Sequence, residues 1–217
     1  MSKKQKSGAK ADRAYLRGLD VAKLEFEVLD LQRANELDEL DHKMLLAAEK
    51  YSGTFRLYGD VEPCIMEHLR VVTARFAAAN PKAPIKVIIS SPGGSVFDGF
   101  VLFDHLRALS DDGHKITTVV RGMAGSMAAV LAQAGDVRVI GPESYLVIHE
   151  AATMMWGKPS EVKDDLDVLK RLCRQAEAVF ARRSKLSAAQ IKARTKKTDW
   201  FVNAKQCKAL GLADRIG

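Results

Sequence analysis

Thiols are scarce in this chain. Cys64, Cys173 and Cys207 are the three cysteines among 217 residues, and no two have C-x-x-C spacing. An odd, unclustered set excludes a disulfide framework, gives no metal site, and suits a reducing cytoplasm. Also missing is any apolar run long enough to cross a bilayer, so no membrane partner is expected. The basic start Met1-Ser2-Lys3-Lys4-Gln5-Lys6 has no hydrophobic stretch behind it and does not read as a secretory signal. Neither G-x-x-x-x-G-K nor G-x-G-x-x-G occurs. Nucleotide-phosphate loops therefore have no support, and no cofactor is expected.

Positive charge is what the chain has in excess. The net charge is +7, concentrated in the N-terminal tail (Lys3, Lys4, Lys6, Lys10, Arg13) and in residues 182–197. Aromatics are few until Trp200, and no nucleic-acid motif surrounds either cluster, so a solvated basic surface is expected rather than a nucleic-acid site.

Residues 1–18 are polar, rich in Lys, Ser and Gly, and expected to be mobile. Beyond them Leu24, Phe26 and Val28 alternate like a strand, whereas Leu37, Leu40, Met44 and Ala48 recur at helical spacing. The chain thus divides into an N-terminal extension, residues 1–50, and a domain, residues 51–217. Within the domain, strands are expected at 54–58, 85–89, 116–121, 137–140 and 145–149, with helices at 61–79, 97–109 and 126–134. Such alternation implies an α/β fold with a parallel-rich sheet, whose ligands gather at the carboxyl ends of strands. Residues 160–186 form a long amphipathic helix with Val162, Leu166, Leu169, Cys173, Ala176 and Phe180 on one stripe. Capping boxes open short helices at Ser187 and Asn203, and Gly211 closes the second.

One segment carries the chemistry. Gly122-Met123-Ala124-Gly125-Ser126-Met127-Ala128-Ala129 sets a hydroxyl at a strand-to-helix turn. Unpaired helical N–H groups there can stabilise an oxyanion, although a helix N-cap serine is the commoner use of the position. A serine nucleophile needs a base. Of five histidines, His42, His68 and His105 fall in helical patterns and His114 in a polar loop, whereas His149 ends an apolar strand. Glu143, Glu150, Asp164, Asp165 and Asp199 are all open as the orienting acid. Ser91-Pro92-Gly93-Gly94-Ser95-Val96 follows a buried strand, and its glycines permit close backbone approach to a substrate carbonyl.

Taken in order, Leu57-Tyr58-Gly59 with Val61, the Ser91–Val96 turn, Gly122–Met127, Val147-Ile148-His149 and Asp199-Trp200-Phe201 resemble the proteolytic subunit of the Clp protease family. The resemblance runs from about Phe55 to the C-terminus. It implies a crotonase-like ββα superhelix and a Ser-His-Asp triad falling on Ser126, His149 and Asp199, with oxyanion donors at the backbone N–H groups of Gly94 and Met127. It further implies a serine endopeptidase acting on unfolded polypeptides inside a homo-oligomeric chamber of heptameric rings, one or two, fed by a AAA+ unfoldase. The order Ser, His, Asp differs from that of α/β-hydrolases, and Ala124 and Ala128 stand where their elbow carries glycines.

This chain departs from the family pattern in four places. Trp200 stands where an arginine of the ring–ring contact is usual, and Glu150-Ala151 where Gln-Pro is common. Gly125 replaces an alanine before the nucleophile, and the N-terminal segment is long. A non-cleaving ring subunit of the same fold, a crotonase-type acyl-CoA enzyme and a Ser-Lys protease are the competing readings.

Overall fold

The computed structural model describes residues 52–217. The expectations for residues 1–50, tail and helix alike, lie outside the described residues. In chain order the elements are β1 (Thr54–Tyr58), α1 (Pro63–Ala79), β2 (Ile85–Ser91), α2 (Val96–Asp111), β3 (Ile116–Gly125), α3 (Ser126–Ala132) and β4 (Val137–Ile140). There follow β5 (Tyr145–Ile148), α4 (Pro159–Arg183), α5 (Ala188–Thr195), β6 (Trp200–Asn203), α6 (Ala204–Leu210) and β7 (Arg215–Ile216).

The sheet runs β1-β2-β3-β4-β7, with every neighbouring pair parallel. Its apolar strands need cover, and the fully buried Leu57, Ile89, Leu106, Ile116 and Leu131 show the core filling between sheet and helices. Each such side chain contributes about 1.5–3 kcal/mol on burial. α3 is buried from Met127 to Ala132, so it is apolar on every side and reads as a helix inside the core.

On the flank away from β2, β3 belongs to two ladders. Thr117 to Val120 pair with Val137 to Ile140 of β4, whereas Met123 to Gly125 pair with Tyr145 to Val147 of β5. The change occurs at Gly122, whose N–H donates to the Ser144 hydroxyl at 2.9 Å. β5 in turn pairs antiparallel with β6, ending at Ile148 opposite Trp200. β6 and β7 were not anticipated from the sequence, and the strand expected to end at residue 121 continues four residues to Gly125. The helix expected at 61–79 begins at Pro63 because Val61 is drawn into a parallel bridge with Gly94.

The C-terminal segment is bolted on by Arg138. Its guanidinium donates to the Asp214 carboxylate at 2.7 and 3.1 Å, to Gln133 Oε1 at 2.7 Å, and to the Arg183 carbonyl. Partial burial alone would raise the Asp214 pKa, but the hydrogen bonds from the Arg138 side chain and N–H outweigh it, and the carboxyl sits below its ordinary value. The capping boxes at Ser187 and Asn203 form, and Gly211 ends α6 in the left-handed region. Among the described residues no helix is long and apolar enough to cross a membrane.

Candidate active site

Strand register brings the expected residues to one end of the sheet. Gly125 pairs with Val147, so Ser126 and His149 leave neighbouring parallel strands within two residues of that pair. Ile148 pairs with Trp200 in the antiparallel ladder, and His149 and Asp199 are the residues that flank this last pair in sequence. On the other flank of β3, Ser91 pairs with Ala124, which delivers the Pro92-Gly93-Gly94 turn beside Ser126.

Ser126 is held at φ +49°, in the left-handed region. That costs a side-chain-bearing residue about 1–2 kcal/mol. Strain of this kind survives only where the surroundings dictate it, and it clusters where a side chain must be aimed. Here the preceding Gly125 is locked in the sheet and the following helix is locked in the core.

Contact with the glycine turn is equally tight. A Cβ on Gly93 would lie 2.6 Å from both the Gly125 carbonyl oxygen and Ser126 Cβ, and 3.0 Å from the Met127 nitrogen. A Cβ on Gly94 would lie 2.4 Å from the Val61 carbonyl oxygen. With φ of +105° and +147°, both positions also require backbone that glycine adopts without strain.

Hydrogen bonding sorts the turn's donors. The Gly93 N–H donates to the Ser91 hydroxyl at 3.1 Å, and the Gly93 carbonyl accepts from Val61 N–H at 2.7 Å. The Val61 carbonyl accepts from Ser95 N–H at 2.8 Å. In a parallel bridge of this pattern the middle residue turns its own N–H the other way. The Gly94 N–H therefore faces away from Val61, and Gly94 lines a cleft of about 580 Å³ together with Ser126 and His149. The Met127 N–H, in the first turn of α3, has no intrahelical acceptor. These two N–H groups are the ones the family resemblance implies as oxyanion donors.

His149 is half-buried, and its Nδ1 lies 2.6 Å from the Glu150 carbonyl oxygen. A carbonyl can only accept, so Nδ1 carries the proton and Nε2 of the neutral ring is left with a lone pair. This tautomer suits a general base acting through Nε2. Asp199 is exposed, and among the described residues neither its carboxylate nor the Ser126 hydroxyl is hydrogen-bonded to His149. His149 and Asp199, each next in sequence to the last pair of the ladder, are thus not joined by a hydrogen bond. The Glu150 side chain reaches across instead, accepting from Lys197 N–H at 3.2 Å, where Lys197 has φ +58°. Trp200 packs on the core with the Arg194 guanidinium 5.5 Å from its ring centre.

A second, smaller cavity of about 50 Å³ adjoins Ser126 and His149. Val130, Ile148, Leu172, Ala176 and Phe180 give it an apolar wall, and Cys173, Glu177 and Thr195 also line it. Sequence reading missed this role for α4 and α5. The stripe of Cys173, Ala176 and Phe180 marked an inward face but not what it faced.

A sequence model of the Clp protease family matches residues 54–217. Among curated proteins, the chain is similar to the ATP-dependent Clp protease proteolytic subunit 3 of Rhodococcus jostii (strain RHA1). The two are 29% identical over 183 residues, covering 83% of this chain and 89% of the relative. The match begins at the first strand of the sheet and ends with the last residue, taking in the whole of the architecture that converges on Ser126. The chain belongs to the Clp protease family.

Proposed function

We propose that the protein is a serine endopeptidase of the Clp type, with Ser126 as nucleophile, His149 as general base and acid, and Asp199 as the acid that orients His149. The observation that carries this reading is Ser126 at φ +49°, sharing one cleft with His149 and Gly94. In the reaction His149 Nε2 takes the Ser126 proton as Oγ attacks the scissile carbonyl carbon. The C=O electron pair moves onto oxygen, which the Gly94 and Met127 N–H groups receive. Collapse expels the amine, which takes the proton from His149 and leaves an acyl-serine. Water activated by the same imidazole then releases the carboxylate and restores Ser126.

Asp199 acts in this scheme after the imidazole turns from the Glu150 carbonyl toward the Asp199 carboxylate. What supports Asp199 in this role is its position just before Trp200, the residue that pairs with Ile148 next to His149. Substrates are unfolded polypeptides, and the working form is a homo-oligomeric ring assembly enclosing the sites. The partner in this reading is a AAA+ unfoldase, which the relative's printed name supports in calling that protein ATP-dependent. Residues 1–50 form an extension to the peptidase domain.

Cleavage of an unstructured protein, with labelling by a fluorophosphonate probe, tests the reading. Ser126→Ala should lose both. Asp199→Asn should lower turnover by about 10³-fold or more, as removal of a triad carboxylate does elsewhere. Parent-like turnover in Asp199→Asn would assign the orienting role to the Glu150 carbonyl instead. Parent-like cleavage by Ser126→Ala would end the serine mechanism.

A further inference from the structure

We propose that Glu177 makes the small cavity beside Ser126 a pocket for a basic substrate side chain, lysine foremost, on the residue whose carbonyl is attacked. The inference rests on the peptidase reading and extends it to a substrate class. The cavity adjoins Ser126 and His149, so a side chain entering it belongs to the residue held at the nucleophile.

Charge is the first argument. The ionisable residues lining the cavity are His149, Glu150, Cys173 and Glu177, and no lysine or arginine is among them. The Glu150 carboxylate is engaged by Lys197 N–H, and the Thr195 hydroxyl by the Ile191 carbonyl at 3.2 Å. Glu177 is half-buried on α4 and has no ion pair or hydrogen bond from its carboxylate among the described residues. A carboxylate partly withdrawn from water, in an apolar wall without a counter-ion, is complementary to a cation that brings one.

Size and shape are the second argument. At roughly 10–15 Å³ for each water-sized group, a space of about 50 Å³ takes three to five such groups. Lysine beyond Cβ has four heavy atoms, three methylenes and an ammonium. Its stem would lie along Ile148, Leu172, Ala176 and Phe180 with its head at Glu177, the usual division of such a side chain between apolar and charged surroundings. A glutamate in the same pocket would meet like charge.

The test uses full-length protein and three peptidyl-coumarin amides identical except at the residue before the coumarin: lysine, norleucine or glutamate. Norleucine keeps the four-carbon stem and lacks the charged head. The expected kcat/KM for lysine is about tenfold that for norleucine, the size of effect one partly solvated ion pair gives. Glu177→Gln should bring the ratio close to one, and Glu177→Lys should shift preference toward glutamate. Norleucine cleaved as well as lysine by the parent, or an unchanged ratio in Glu177→Gln, would overturn the assignment of Glu177 while leaving the peptidase intact. Failure of the underlying reading looks different. In that case Ser126→Ala cleaves all three peptides like the parent, or the parent cleaves none, and the pocket assignment falls with it.

Discussion

Replacing Gly93 by alanine probes the closest contact in the site. The new Cβ would stand 2.6 Å from the Gly125 oxygen and from Ser126 Cβ, and 3.0 Å from the Met127 nitrogen. Ordinary contact begins at 3.4 Å, so the glycine turn and the Gly125–Met127 backbone must part by about 0.8 Å, since neither partner is a flexible side-chain tip. Backbone at φ +105° adds strain of about 1–3 kcal/mol for alanine. Together these should lower stability by about 2–4 kcal/mol, or about 5–15 °C in Tm for a chain of this size. The larger effect is on turnover. A displacement approaching 1 Å between nucleophile and oxyanion donor costs roughly a hundredfold in rate. Gly59→Ala is the control, because Gly59 has φ +79° but nothing within 4 Å of its added Cβ. It should lose only about 1–2 kcal/mol of stability and keep its activity. Peptide hydrolysis and thermal unfolding measured on both variants separate the effects. A folded Gly93→Ala protein with parent kcat/KM, or a Gly59→Ala protein equally impaired, would refute the reasoning.

Arg138→Ala removes the hub joining β4, the end of α4 and Asp214, and should cost about 3 kcal/mol by urea unfolding because its buried partners lose their donor. Partial burial would raise the Asp136 pKa, but donors from Arg107, Ile116 and Ser110 outweigh it, so Asp136, like Asp214, titrates below the ordinary aspartate value of 3.8. Their contribution is complete above that value and lost as pH falls through the folded-state values. The urea midpoint should therefore drop most steeply below about pH 4, with a shallower drop in Asp214→Asn. Burial pushes the Cys207 thiol up to about 12, while Cys64 is exposed. Iodoacetamide at mildly alkaline pH should modify Cys64 and spare Cys207 until the protein is unfolded, as read by peptide mass spectrometry.

Much of the sheet was legible because its strands are short apolar runs with turn residues at their ends. Val137–Ile140 matches its expected bounds, and Tyr145–Ile148 falls one residue short. What escaped was structure that side-chain pattern does not encode. The second half of β3 reads Gly-Met-Ala-Gly and looks like a loop, yet its backbone pairs with β5. β7 has only two residues and exists because β4 offers it an edge. The stripe on α4 was visible, but its covering was not. Phe180 is buried, while Leu166, about four turns earlier on the same stripe, is 40% exposed. Periodicity tells which face is apolar, not how far the core extends along it. In the site, Ser126, His149 and the glycine turn were marked by residue type and strand position. The bond from His149 to the Glu150 carbonyl uses main-chain oxygen, which every residue possesses and no motif announces.

The strand that pairs with three others has a dynamic corollary. Because β3 is shared, its ladders with β2 and β4 and the β5–β6 pair have no seam between them along which one could open alone. Sub-global unfolding follows seams, and regions without them exchange their amide hydrogens only when the whole domain comes apart. The amides of Val119, Val120, Ala124 and Gly125 should thus exchange with the slowest class in the chain, and at a common free energy. The nucleophile would then be attached to the most slowly opening strand of the molecule, so that fluctuations admitting substrate must arise in what surrounds Ser126 rather than in what carries it.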